Sequence, residues 1–243
     1  MKGSTGWAWI KTLAKDTETG ARTALIKFDP GFTQERTTSI WPMDSYMLEG
    51  EMQCGDQILS RDSYYYRPSG VTYGPIKSRN GCTRLVFTSD DRRISSETPM
   101  FVQDVSALPW VSSYTDMPGQ ERKLKVLRQD KKASYSLFLH TYRVPGSGPR
   151  AHMTHVHTHS EEVFVLEGEL EQYCGEIDGH IFWKPWTYTC RAPNQGQHGG
   201  PTTKVPCTVL IRLGWVGEMK DRYKAGQTHS PETKMVEGAF FIE

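Results

Sequence analysis

Hydrophobic and polar residues alternate along this chain in short runs, and no long segment carries an apolar repeat of 3.6 residues. The runs Ala24-Leu-Ile-Lys-Phe28, Arg84-Leu-Val-Phe87, Val163-Phe-Val-Leu166 and Thr208-Val-Leu-Ile-Arg212 are rich in β-branched and aromatic residues. Clusters of Gly, Pro, Asp and Asn cut them short. This pattern predicts an all-β chain of many short strands, closed as a jelly roll or barrel whose alternate residues face an interior.

The runs recur in order. Leu13-Ala-Lys-Asp16, leading to Thr23 through Gly31, is answered by Leu127-Arg-Gln-Asp130, leading to Ser136 through Gly146. Leu48-Glu-Gly-Glu51 is answered by Leu166-Glu-Gly-Glu169, Cys54-Gly55 by Cys174-Gly175, and Cys82-Thr83 by Cys207-Thr208. Two copies of one unit are the simplest explanation. The expected organisation is one β unit over 1–91, a crossing segment over 92–120, a second unit over 121–219 and a tail over 220–243. Pro and Gly in the crossing segment predict an ordered loop with a short strand, packed down by Phe101 and Trp110. The apolar end of the tail, Val236-Glu-Gly-Ala-Phe-Phe-Ile242, predicts a docked terminus.

Composition narrows the class. With 243 residues the chain can bury one large or two small cores, and its formal net charge of +1 supplies no bulk attraction to nucleic acid or anionic membrane. No stretch approaches the roughly 18 apolar residues of a membrane-spanning helix. The start of the chain lacks an apolar run of secretory type, so a cytoplasmic protein is expected. The five cysteines, Cys54, Cys82, Cys174, Cys190 and Cys207, have no Cys-x-x-Cys spacing and read as reduced, mostly buried thiols.

The candidate chemistry is concentrated in the second copy. His155 and His157 stand two apart, so a strand points both imidazoles to one face, and Glu161 keeps the same parity after a short polar turn. His198 adds one more imidazole beside the Pro193-Asn-Gln-Gly196 turn. Three neutral imidazoles and one carboxylate suit one divalent first-row metal. An octahedral ion so held keeps two open positions, as in catalytic sites, and a net site charge of about +1 favours an anionic or enolate-type oxygen ligand. Aligned through the repeat, the first copy has Thr37, Ser39, Met43 and Tyr73 at these positions, none of them a good ligand. All eight histidines lie at or beyond His140, so only the second copy can build a site rich in imidazole.

The His155, His157, Glu161, Gly168 spacing resembles the first motif of the cupins, His-x-His, three or four residues, Glu, six residues, Gly. Pro193, Gly196 and His198 resemble their second motif, with the Gly one place late and the gap to His one residue short. Glu161-Glu-Val-Phe-Val-Leu-Glu-Gly168 is similar to the ChrR-type cupins, found in zinc-bearing anti-sigma factors and in ring- or ketone-cleaving dioxygenases. The resemblance implies two tandem cupin barrels, the first metal-free. It also implies a metal-dependent enzyme, Fe(II) favoured with Zn, Mn or Ni as alternatives. Its expected reaction is dioxygenase cleavage of a C–C bond in a small hydroxylated aromatic or diketone-like compound. The expected partners are that small molecule and O₂, with no nucleic acid or membrane, and a homodimer paired through outer edges. A non-oxidative isomerase, lyase or hydrolase fits the ligand set equally. A metal-bound sensor is the third reading, although the anti-sigma cupins carry a helical Cys- and His-containing segment before the cupin, where this chain has its first copy.

Around the ligands, His140, Tyr142, Arg143, Arg150, His152, His159 and Glu162 are candidates for supporting roles. Arg150 and His152 would face an anionic substrate or solvent, and His159 would sit solvated in the turn. Glu162 is the carboxylate nearest the histidines, but its parity points away from Glu161, leaving a surface role equally open. Tyr173, Trp183, Trp186 and Tyr188 read as sheet packing or as an apolar wall for substrate.

Overall fold

The structure, a computed structural model, describes residues 3–17, 19–89, 97–113, 121–130, 135–143, 154–157, 160–174, 178–191, 198–214 and 221–223. The fold is all-β, as expected. The described helical content is one 3₁₀ turn, Val105–Ala107, and no described helix is long and apolar enough to cross a membrane. The chain divides into two compact units, Met1–Leu108 and Pro109–Glu243.

In unit 1 the long strand Met43–Cys54 is the axis of a 10-stranded antiparallel sheet, flanked by Cys82–Thr88, Tyr64–Arg67 and Ile76–Ser78. Alternation sorts its side chains. Ala24, Phe28, Met43, Met47, Tyr65, Cys82 and Val86 gather in one core cluster. Unit 2 has a 6-stranded and a 5-stranded sheet; Glu161–Glu167 is next to one edge of the first, between the edge strand Tyr188–Arg191 and Cys207–Leu213. Its core gathers Leu124, Val163, Val165, Leu170, Trp183, Val209 and Ile211. A fully buried Val or Leu stabilises by about 1.5–3 kcal/mol, so these clusters fix the register of the strands beneath the candidate site.

The repeat is visible in the strand register. Glu161 faces Arg191 across its pair and Met43 faces Arg67; His155 faces His198 and Thr37 faces Tyr73. A register shift at Leu48 is matched by one at Leu166. Just after each shift the chain turns through a glycine in the left-handed region, Gly50 (φ 71°) and Gly168 (φ 77°). A Cβ on Gly50 would lie 2.2 Å from the Gly81 carbonyl oxygen, and one on Gly168 would lie 2.1 Å from that of Pro206. Gly168→Ala therefore faces both an unfavourable φ and a backbone clash, and is expected to destabilise unit 2 by about 3 kcal/mol or more. Urea denaturation of the full chain reads this as a lowered midpoint for one transition, with Gly50→Ala acting on the other.

The segment between the copies contributes to both units. Met100–Val102 pairs with Tyr64–Arg67, with Phe101 stacked on Tyr65 at 4.5 Å, whereas Val111–Ser113 pairs with Glu121–Asp130 and Lys125 caps the Trp110 ring at 4.5 Å. From the tail, Asp221–Tyr223 pairs with Thr154–His157; the apolar end at 236–242 lies outside the described residues. All five cysteines are free thiols; Cys54, Cys82 and Cys207 are buried, Cys174 is half-buried and Cys190 is exposed. Burial, with Glu169 nearby, pushes the Cys207 thiol up to about 12.

Candidate metal centre

The strand Thr154–His157 runs beside His198–Thr202, which sets the backbone of His155 directly across from that of His198. Glu161 opens the next strand. Its Oε2 atom lies 3.0 Å from His198 Nε2, and both side chains are buried. Two donors on one ion, with bonds of about 2.1 Å at right angles, stand about 3.0 Å apart. The Glu161–His198 pair thus has the chemistry and spacing of an edge of a coordination polyhedron. The side chains of His155 and His157 lie outside the described residues, and among the described residues no three His, Cys, Asp or Glu side chains cluster.

Arg191 holds the carboxylate in place. Its Nη1 donates to Glu161 Oε2 at 2.8 Å, its Nη2 donates to Gln172 Oε1 at 2.7 Å, and its guanidinium lies 5.6 Å from the Trp183 ring centroid. Three neighbours thereby fix one arginine, which in turn fixes the rotamer of the candidate ligand. Sequence reading overlooked Arg191 and Gln172. The repeat carried the signal, since Tyr64-Tyr-Tyr-Arg67 and Tyr188-Thr-Cys-Arg191 are both Tyr-x-x-Arg at equivalent register.

Glu162 does not take the surface role considered for it. It lies on the opposite face of its strand from Glu161, fully buried, in an ion pair with Arg212 and accepting a hydrogen bond from the Tyr188 hydroxyl. Burial, then the Glu162 charge, raises the Tyr188 phenol far above its ordinary value, keeping it a donor. Unit 1 repeats part of this arrangement in the Tyr64 hydroxyl and Asp44, with Phe87 at the register position of Arg212.

Of the other candidates, His140 is placed across from Leu124 and Val209. The side chains of His140, Tyr142 and Arg143, and the whole of Arg150, His152 and His159, lie outside the described residues. Trp183 is core and Tyr188 serves Glu162; Tyr173 donates to Asp178 at 2.6 Å, and Trp186 is exposed with its edge toward Phe164. In unit 1 the equivalent place holds Met43, Thr37 and Tyr73, and the Arg67 guanidinium lies 4.0 Å over the Tyr73 ring instead of meeting a carboxylate.

Residues 3–90 match the ChrR Cupin-like domain family. No curated protein is detectably similar in sequence. Among solved structures, a Nostoc punctiforme protein described as a "putative dioxygenase" is 18% identical over 92% of this chain and 78% of its own, with a TM-score of 0.67. A Cupin 2 conserved barrel domain protein from Leptotrichia buccalis is 11% identical over 86% and 89%, with a TM-score of 0.61. An oxalate decarboxylase variant from Bacillus subtilis is 12% identical over 90% and 75%, with a TM-score of 0.57. At these identities the likeness shows the fold alone, a cupin fold.

Proposed function

We propose that this cupin-fold chain is a two-barrel, metal-dependent enzyme. Unit 2 would bind one divalent ion through His155, His157, Glu161 and His198, and unit 1 would be the metal-free copy. The observation that carries this reading is the buried Glu161–His198 pair at 3.0 Å, with His155 across from His198 in register. When bound, Fe(II) would supply a Lewis-acidic centre where an oxygen-bearing substrate and O₂ react together. The chain's own part is positional. Arg191 fixes the carboxylate, the core residues Val163, Val165 and Trp183 keep water from the back of the site, and His198, arriving from a separate strand, closes the ligand set.

The favoured reaction is dioxygenase cleavage of a C–C bond in a small hydroxylated aromatic or diketone-like compound. Its support is the ChrR-type motif in unit 2 and the likeness to a structure described as a "putative dioxygenase". An oxygen-electrode assay of Fe(II)-loaded protein against 1,3-diketones, hydroxyacetophenones and catechols tests it. Stoichiometric O₂ uptake with C–C cleavage products is expected. Equal turnover under strict anaerobiosis would sink the oxygenase and leave a non-oxidative lyase, isomerase or hydrolase.

A further inference from the structure

The interior face of unit 1 carries two arginines, Arg67 at 3% and Arg84 at 5% exposure, and no described carboxylate neutralises either. Strand parity puts Met43, Ser45 and Met47, then Tyr65 and Arg67, then Cys82, Arg84 and Val86 on this one face. The nearby acids are committed elsewhere. Asp44 accepts from Tyr64 and Glu97 from Tyr66, both through tyrosines of the opposite parity. Arg67 spends Nη2 on the Trp41 carbonyl oxygen at 2.9 Å and lies over Tyr73, but its Nε has no partner. Arg84 lies 5.1 Å from the Phe28 ring centroid, and its Nε and Nη1 have no partner. Ser45 Oγ is likewise unpartnered, and the Tyr65 hydroxyl lies near the Cys54 thiol and the two guanidiniums.

Every one of these idle atoms can donate a hydrogen bond. Burial, with Arg67 adding its own repulsion, pulls the Arg84 guanidinium below its usual pKa, yet an arginine stays protonated in proteins. Two buried cations with spare donors and no anion form an unfavourable arrangement unless something negative completes it. Unit 2 indicates what is missing. There the equivalent arginine, Arg191, grips the Glu161 carboxylate, whereas Arg67 faces Met43; a second arginine, Arg84, occupies the register position of Val209.

We propose that unit 1 binds a small organic carboxylate on this face, its carboxylate group accepting from the idle donors of Arg67 and Arg84. Arg67 and Arg84 supply charge and planar N–H donors matched to a carboxylate edge, Ser45 and Tyr65 supply neutral donors, and Met43, Met47 and Val86 enclose the ligand's carbon skeleton.

The test is the melting temperature of the full chain, stripped of metal with 1,10-phenanthroline and titrated with acetate or malonate at constant ionic strength in chloride. Malonamide serves as neutral control and inorganic phosphate as the contrasting oxyanion. A saturable rise with at least one carboxylate is expected, with calorimetry giving one site per chain. The rise should persist in His198→Ala, which separates it from anything unit 2 binds. In Arg84→Met and Arg67→Met the apparent affinity should fall at least tenfold, while each anion-free variant melts no lower than the parent, because an apolar side chain replaces an uncompensated charge. If Arg84→Met fails to fold, Arg67→Met and Tyr65→Phe carry the same comparison. No rise with either carboxylate, a rise unchanged in the arginine variants, a rise lost in His198→Ala, or a rise with phosphate alone would each overturn the proposal.

Discussion

Replacing Arg212 by Ala is expected to cost unit 2 about 3–5 kcal/mol, the largest stability loss of any single change considered, because it strands the Glu162 carboxylate in the core. The Tyr188 hydroxyl would still donate to Glu162, but one neutral hydrogen bond contributes about 1 kcal/mol, too little to replace a paired cation beside a buried anion. The double replacement Glu162→Met with Arg212→Leu removes both charges and should recover most of the loss. Denaturation of the full chain checks this as a shift of one transition and not the other. In unit 1, where Phe87 takes the register position of Arg212, Asp44→Asn should cost less, since that position holds no cation to be left uncompensated. A small loss for Arg212→Ala would mean that the Glu162 charge is not held by this arginine.

Replacing His198 by Ala should abolish stoichiometric metal retention while the unit still folds, and turnover should go with it. In the proposed site His198 is the imidazole whose Nε2 stands 3.0 Å from Glu161 Oε2. Arg191→Met tests the supporting role separately. It leaves all four ligands intact but frees the Glu161 carboxylate, so metal affinity should fall by about 10–100-fold. Metal content measured after dialysis against a competing chelator orders the three proteins: parent, then Arg191→Met, then His198→Ala. A full equivalent of metal in His198→Ala would remove that residue from the ligand set.

Much of this architecture is legible in the chain because its signals are local or periodic. The alternation in Cys82–Thr88 and Glu161–Glu167 marks strands. The pairs Leu48-Glu-Gly50 and Leu166-Glu-Gly168 mark equivalent register shifts, each followed by a left-handed glycine pressed against a neighbouring carbonyl. The same counting paired Tyr73 with His198 and Met43 with Glu161, and cross-strand register puts both pairs at equivalent positions. Arginine has no such local signature, because its place in a site depends on what faces it. Arg191 lies 30 residues from Glu161 and 19 from Gln172.

By itself, then, the sequence determined an all-β chain with signals that recur in order along it, and it determined that every histidine lies at or beyond His140. Strand period, turn chemistry and repeat spacing are properties of neighbouring residues and survive without a folded interior. The tertiary structure alone decided which carboxylate is gripped by Arg191 and which is buried against Arg212, and that Arg67 and Arg84 share a face without an anion among the described residues. Those outcomes depend on strand pairing across tens of residues and on desolvation. A charge in water needs no partner, whereas the same charge inside a packed sheet must have one.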